Sequence, residues 1–470
     1  MKNWKHDLVL RLVKALDALL LTVPFAVCWY CYYAPRMVEP FYNKGNWLMI
    51  ALFLLLYVAY GKVYDAFLVS LNSIANMIYS QTLAAVFSDF VMYIVTWLLT
   101  KHLPLPLPLL AAFGCQIALA SLWCVLASKW YFAAFPPKRS AVIYDQRQGL
   151  ERLISEYGLE KKFDLCATAG VDECLADLGM LNGMDAVFLS GVHSHDRNII
   201  LKYCIAAGIH VYVIPRIGDV IMSGARQMHL FHLPMLRVGR YNPSPVYLLV
   251  KRALDLVISC AAIVLLSPVL LLTAAAIRLT DGGPVLYRQC RLTKDGRKFN
   301  VLKFRSMCVD AEKDGVARLS TGSEDERVTR IGRLIRKTRI DELPQLFCVL
   351  RGTMTLVGPR PERPEIAEVY EREIPEFQLR LQAKAGLTGY AQVYGKYNTT
   401  PYDKLQMDLM YIAHPSIIED LRILFATVKI LFAPKSTEGV EAGQLNALEA
   451  LDELAAAGEP ESVEAEKTTV

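Results

Sequence analysis

The sequence predicts a membrane α-helical bundle followed by two α/β domains, and three observations carry that reading. Hydrophobic residues make up 54% of the 470, and mean hydropathy is +0.28, both high for a chain without membrane segments. Four apolar stretches in the first third of the chain each approach the roughly twenty residues that a helix needs to cross the hydrocarbon core. From Ser140 the pattern changes to short apolar strands alternating with amphipathic helices, the rhythm of a parallel sheet. A length of 470 residues accommodates two to four domains.

The first apolar run ends near Tyr33 and is preceded by Lys2, Lys5, Arg11 and Lys14. No small-residue cleavage site follows, so it reads as an uncleaved span. Further spans are expected at 47–66, 82–99 and 107–127, with Asp89 and Tyr93 as polar residues in the third. The Pro-rich 103–109 reads as a turn. Lys129, Lys138 and Arg139 follow the fourth span, so the positive-inside rule puts both ends of this four-helix bundle, 1–135, in the cytoplasm. In the next domain, 138–235, strands are expected at 141–144, 164–167, 185–190 and 209–214, and helices at 148–157, 171–179 and 197–207. That alternation is Rossmann-like. Its first strand-to-helix turn, Tyr144-Asp145-Gln146-Arg147-Gln148-Gly149, lacks the glycines that let a backbone approach a pyrophosphate. The module therefore reads as degenerate: non-binding, or regulatory.

Residues 257–277 are apolar and uncharged, long enough for a fifth span, but Ser267-Pro268 sits in the middle. Proline removes a backbone donor and clashes with the carbonyl four residues back, so the helix should bend or break there. Hydropathy does not separate a crossing helix from a re-entrant one. Residues 282–430 read as a soluble α/β domain. The acidic, Ala-rich 436–470 reads as a mostly disordered tail.

The net charge of +5 is mild, yet Lys and Arg crowd between Lys294 and Arg339. Beside a membrane, such a cluster points to lipid headgroups or phosphate-bearing substrates rather than to nucleic acid. Cys28 and Cys31 form a CxxC inside an apolar run, where core packing is the better reading. The pairs His193/His195 and His229/His232 lack the partners of a metal site. The scattered cysteines imply no disulfide framework.

The richest stretch runs from Arg330 to Leu346. Basic residues recur at Arg330, Arg333, Arg336 and Arg339, a spacing of three that lays a stripe along one helix side. Asp341 and Glu342 follow directly, and Pro344 suits a first helical turn, so both acids should sit close to a helix N-terminus. Adjacent helical residues diverge by about 100°, so the two acids should face different partners.

Asp341-Glu342-Leu343-Pro344-Gln345-Leu346 resembles the catalytic signature of the bacterial sugar transferase family, the polyprenyl-phosphate phosphoglycosyl transferases of the monotopic type. Other blocks agree in order: Lys251-Arg252 with Asp255, Gly283-Pro284-Val285, Lys303 to Met307, Val357 to Glu362, and Gly386 to Val393. A last block, Asp408 to Ile412, leads to Ser416 and Asp420. The resemblance covers about 251–432. The upstream spans and Rossmann-like module are similar to the long form of the family. Departures are His414-Pro415 before Ser416, and Tyr390 where Trp is frequent.

The resemblance implies a catalytic domain at 248–435 with a re-entrant membrane helix at 253–280, broken at Ser267 and Pro268. It implies transfer of a sugar-1-phosphate from a UDP-sugar to undecaprenyl phosphate, priming exopolysaccharide, capsule or O-antigen assembly. Asp341 would be the nucleophile and Glu342 the ligand of Mg²⁺. Lys303 and Arg305 would clamp phosphate. Arg360, stiffened by Pro359 and Pro361, would contact the nucleotide or a phosphate, with Arg336 and Arg339 nearby. The implied setting is the bacterial inner membrane with the catalytic domain on its cytoplasmic face. The implied partners are the UDP-sugar, undecaprenyl phosphate and the bilayer, with no nucleic acid and with a homo-oligomer left open. Two other readings compete: a membrane scaffold or sensor without catalysis that binds a regulator through the Rossmann-like module, and a lipid-phosphate hydrolase using the same residues.

Overall fold

The structure, a computed structural model, describes residues 2–145, 149–308, 327–395 and 399–431. The turn at 146–148 and the tail at 436–470 therefore lie outside the described residues. The chain divides into two compact units, Met1–Arg216 and Ile217–Val470.

The first unit opens with four long helices, α1 (Lys2–Cys28), α2 (Asn43–Val63), α3 (Ile74–Thr100) and α4 (Leu107–Ala134). All four are long and apolar enough to cross a membrane, and α1 continues through a π-helical turn at Trp29–Tyr33. Aromatic packing holds α1 to α2: Phe25 stacks on Phe53 with ring centres 4.4 Å apart. Two pairs of polar side chains inside the bundle bond across helices. Trp29 Nε1 donates to Asn46 Oδ1 at 3.0 Å, and Gln81 Nε2 donates to Asp17 Oδ2 at 2.8 Å.

The same unit continues with β1 (Lys138–Tyr144), α5 (Leu150–Glu156), β2 (Phe163–Gly170), α6 (Val171–Ala176), β3 (Ala186–Ser190), α7 (Ser194–Ala207) and β4 (His210–Val213). The strands form one parallel sheet in the order β2-β1-β3-β4. Each overlaps its expected segment. Buried Ala141, Ile143, Val187 and Leu189 supply a core shared with Ile200 and Cys204 of α7.

The second unit begins with α8 (Ile217–Ser223) and an antiparallel hairpin, β5 (Arg226–Leu230) and β6 (Leu233–Arg237). Although the sequence suggests grouping 217–235 with the upstream sheet, α8 packs downstream, where Ser223 Oγ lies 3.2 Å from His414 Nε2. Then come α9 (Pro245–Asp281), the antiparallel pair β7 (Leu286–Leu292) and β8 (Lys298–Phe304), α10 (Arg330–Lys337), α11 (Gln345–Arg351) and β9 (Thr355–Val357). The chain closes with α12 (Pro364–Glu373), β10 (Gly386–Thr388), α13 (Tyr390–Tyr394), α14 (Pro401–Ala413) and α15 (Ile417–Leu431). β9 and β10 pair in parallel at the centre of the core, which takes in Val301, Leu346, Val349, Leu356, Leu405 and Ile423.

Helix α9 holds the Ser267-Pro268 pair, where the sequence leads to a bend or break. Its 37 residues run as a single helix, with no gap at Ser267-Pro268. The carbonyl that Pro268 deprives of its donor belongs to Val264, four residues back, and it accepts from Ser267 Oγ at 2.7 Å. The serine thus replaces the missing bond. Both halves of α9 pack on the same domain: Ile258, Ala262 and Ile263 against the main core, Ala274 and Ile277 against Phe304 and Ile335. Val257, Val264, Leu265, Leu271, Leu272 and Leu279 remain exposed.

Candidate active site

The site is assembled from three segments far apart in sequence. The first is β8, whose register with β7 places Lys303 opposite Tyr287. The second is the link from α10 to α11. Thr329 caps α10 by accepting from Gly332 N at 2.9 Å, and Gly332 packs so closely on Ser306 that a Cβ would lie 1.9 Å from the Ser306 carbonyl oxygen. Arg336 Nε bonds Ser306 Oγ at 2.8 Å. The helix then ends, and Arg339 takes a left-handed conformation with φ +53°. That residue turns the chain into a single 3₁₀ turn, Ile340–Glu342, ahead of α11. The basic stripe therefore stops short: Arg330 and Arg333 are exposed, Arg336 turns inward, and Arg339 lies off the helix.

The third segment is Pro359-Arg360-Pro361. Two prolines leave it few backbone donors, so it is held through its carbonyls. Pro359 O accepts from Gly386 N at 2.9 Å, Arg360 O from Arg380 Nη2 at 2.7 Å, and Pro361 O from Arg291 Nη1 at 3.1 Å. Arg380 is itself fixed by Asp408, with Nη2 2.7 Å from Oδ2. The pinned loop presents the Arg360 side chain to the acid pair.

Glu342 is where the segments meet. Its Oε1 accepts from Lys303 Nζ and from Arg360 Nη2, each at 3.2 Å. Burial by itself would raise its pKa, but Arg360, Lys303 and Arg339 outweigh that and hold it well below the usual carboxylate range. Its neighbour behaves oppositely. Burial, with the adjacent Glu342 charge, pushes Asp341 up to about 6 against the pull of Lys303 and Arg336. No close ion pair with a described residue ties Asp341 down. The two neighbouring carboxylates thus differ in environment: Glu342 is held as a fixed charge, and Asp341 is the more easily protonated of the two.

Of the residues expected here, Asp341, Glu342, Lys303 and Arg360 come together, with Arg336 and Arg339 acting electrostatically. Arg305 does not join them through Glu342. It is buried, and its guanidinium lies where a Cβ on Gly283 would have to be, at 2.4 Å. Arg291 and Arg380 escaped sequence reading, because isolated arginines 70 and 20 residues from the loop they hold carry no local pattern. Among the described residues, no cluster of three or more His, Cys, Asp or Glu could hold a metal. A divalent cation would have only the acid pair, plus oxygens brought by a substrate.

Five helices long and apolar enough to cross a membrane, and a carboxylate pair beside two cations, define a membrane protein with a densely charged site. The chain belongs to the bacterial sugar transferase family, whose profile matches residues 246–434. It is 40% identical over 234 residues to the UDP-N-acetylgalactosamine-undecaprenyl-phosphate N-acetylgalactosaminephosphotransferase of Aeromonas hydrophila, covering 49% of this chain and 54% of that protein. It is 41% identical over 292 residues to the UDP-glucose:undecaprenyl-phosphate glucose-1-phosphate transferase of Klebsiella pneumoniae, covering 60% of this chain and 62% of that one. With the exopolysaccharide production protein PSS of Rhizobium leguminosarum bv. phaseoli it shares 40% identity over 190 residues, 38% of this chain and 94% of that protein. The match spans between half and two thirds of the length of the first two relatives.

Proposed function

We propose that the protein transfers a sugar-1-phosphate from a UDP-sugar to undecaprenyl phosphate, the priming step of a surface or secreted polysaccharide. The observation that carries this reading is the asymmetry of the acid pair. Glu342 is fixed as a charge between Lys303 and Arg360, while Asp341 lies half-buried beside it without a close ion pair among the described residues. Asp341 Oδ attacks the sugar-bearing phosphorus, the bond from that phosphorus to the bridging oxygen breaks, and UMP leaves with the electron pair. An oxygen of undecaprenyl phosphate then attacks the same phosphorus. The bond to Asp341 breaks, giving the lipid diphosphate sugar and restoring the carboxylate. Lys303 and Arg360 neutralise the donor's diphosphate, and the pinned Pro359–Pro361 loop keeps Arg360 in register.

The charges fit a metal–diphosphate pair. Lys303 and Arg360 balance Asp341 and Glu342, and Mg²⁺ with a diphosphate likewise adds about zero net charge. Both cations bind Glu342 through Oε1, and Glu342 would be the residue to hold the ion. When bound, Mg²⁺ supplies charge neutralisation at the leaving phosphate. The seat of both halves of α9 on one domain, with an apolar stripe facing outward, supports a helix that dips into the bilayer and returns. Lys251 and Gly282 would then share the cytoplasmic face of the inner membrane, where nucleotide sugars are found. The upstream sheet is read as a Rossmann-like module that binds no dinucleotide.

The test is a single turnover without lipid. Given UDP-sugar and Mg²⁺ alone, the enzyme should release about one UMP per active site and leave a sugar phosphate on the peptide bearing Asp341. Turnover with lipid but neither burst nor adduct would leave direct attack by the lipid phosphate as the mechanism.

A further inference from the structure

Helix α9 does more than meet the membrane. One turn apart near its N-terminal end, Arg252 and Asp255 each grip the backbone of a different catalytic segment. Arg252 donates from Nη1 to Val349 O at 2.7 Å and from Nη2 to Leu350 O at 2.8 Å. These are last-turn carbonyls of α11, where intrahelical partners run out; that of Val349 also accepts from Gly352 N at 3.0 Å. Gly352, at φ +84°, ends that helix against the same guanidinium. At its other end, α11 is entered through the turn carrying Asp341 and Glu342. Asp255 is buried and accepts from Thr355 Oγ1 at 2.7 Å and from Leu356 N at 2.9 Å. Those residues form β9, which runs through Val357 and Gly358 into Pro359 and Arg360.

We propose that Arg252 and Asp255 are positioning residues through which α9 sets the separation of the nucleophile from its phosphate clamp. This rests on the transferase reading above. Arg252 governs where α11 holds Asp341 and Glu342, and Asp255 governs where β9 delivers Arg360. A third contact keeps the helix from rolling: Lys251 Nζ reaches Asp420 Oδ2 at 2.9 Å and Tyr411 Oη at 3.1 Å, and Tyr411 Oη donates to Val357 O at 3.2 Å. The side chains that fix the active site thus belong to the helix that the bilayer holds. Its seating is therefore a direct input to catalysis.

Because the two grips serve different segments, they should fail differently. In Arg252→Lys the two-carbonyl hold is lost, and a misplaced nucleophile should lower kcat about tenfold while the donor KM stays within about twofold. Asp255→Asn keeps shape but weakens the hold on β9, so the donor KM should rise about tenfold with a smaller change in kcat. Thr355→Val removes one partner of Asp255 from the opposite side and should reproduce the KM effect. Full-length enzyme in nanodiscs, with a UDP-sugar that the wild type turns over, gives both parameters, and thermal melts give the folded fraction. Equal changes in kcat and KM for all three variants, or losses that vanish on correction for folded enzyme, would overturn the proposal. A wild type that releases no UMP from any UDP-sugar would instead overturn the transferase reading.

Discussion

At Asp341, desolvation sets both the proposed chemistry and a cost in stability. An acid pushed up to about 6 is charged at neutral pH but poorly solvated, which suits the nucleophile proposed above. Because attack requires the carboxylate, the single-turnover rate should fall about tenfold per pH unit below pH 6. The stability sign is the reverse. A folded pKa raised above the unfolded value favours the folded state at low pH, and that advantage is lost as pH rises through 6. Asp341→Asn should therefore abolish UMP release, by at least ~1000-fold, yet melt at a higher temperature than wild type above pH 6. A lower melting temperature there would contradict the account of its burial. Glu342→Gln should fail differently: it leaves Lys303 and Arg360 without their shared anion, and extra Mg²⁺ should recover part of the rate. Asp408 is likewise pushed up to about 6 by burial, against the pull of Arg380. Its neutralisation should loosen the Arg360 loop and appear in the donor KM, whereas Asp341 appears in the burst rate.

At the scale of elements, the site depends on how closely α10 packs against the segment that follows β8. Gly332 has no room for a methyl group beside the Ser306 carbonyl, so Gly332→Ala must shift α10 away from β8. That overpacking should cost about 1–3 kcal/mol, read as a lower melting temperature, and should move Arg336 from Ser306. Helix α9 tests the membrane reading. Its exposed stripe, Val257 to Leu279, faces away from the domain on which both halves sit. Cysteines at Val250 and Gly282 should both be labelled from the cytoplasmic side of sealed vesicles. Labelling of one from each side would make α9 an ordinary crossing helix and undo the proposed topology.

For the whole molecule, the α/β module of the first unit is the part whose role the catalytic site does not explain. Calorimetry on the full-length protein with NAD and FAD should be silent, and micromolar binding of either would give the module a ligand. Sugar choice also belongs to this scale. Relatives at 40% and 41% identity carry names for different sugars, so overall identity does not select between them. A panel of UDP-sugars assayed for UMP release with undecaprenyl phosphate would.

By itself the sequence determined what depends on near neighbours. Helix length and apolarity are properties of continuous segments, so the four bundle helices and the apolar α9 were legible from hydropathy. Strand and helix periods did the same for β1 to β4, with strand ends within three residues of those expected. Two adjacent acids before a helix-opening proline were visible too, although spacing alone reads them as a helix cap and only the family resemblance marked them as a candidate catalytic pair. Tertiary structure alone decided which cations those acids meet. Lys303, Glu342 and Arg360 converge through packing of a hairpin, a turn and a loop, and no periodicity records that. It also sent Arg305 to Gly283, recruited Arg291 and Arg380 to hold proline carbonyls, and let Ser267 replace the bond that Pro268 removes. Hydrogen bonds and ion pairs act over a few ångströms of space and are indifferent to separation along the chain, so only the folded backbone determines which ones form.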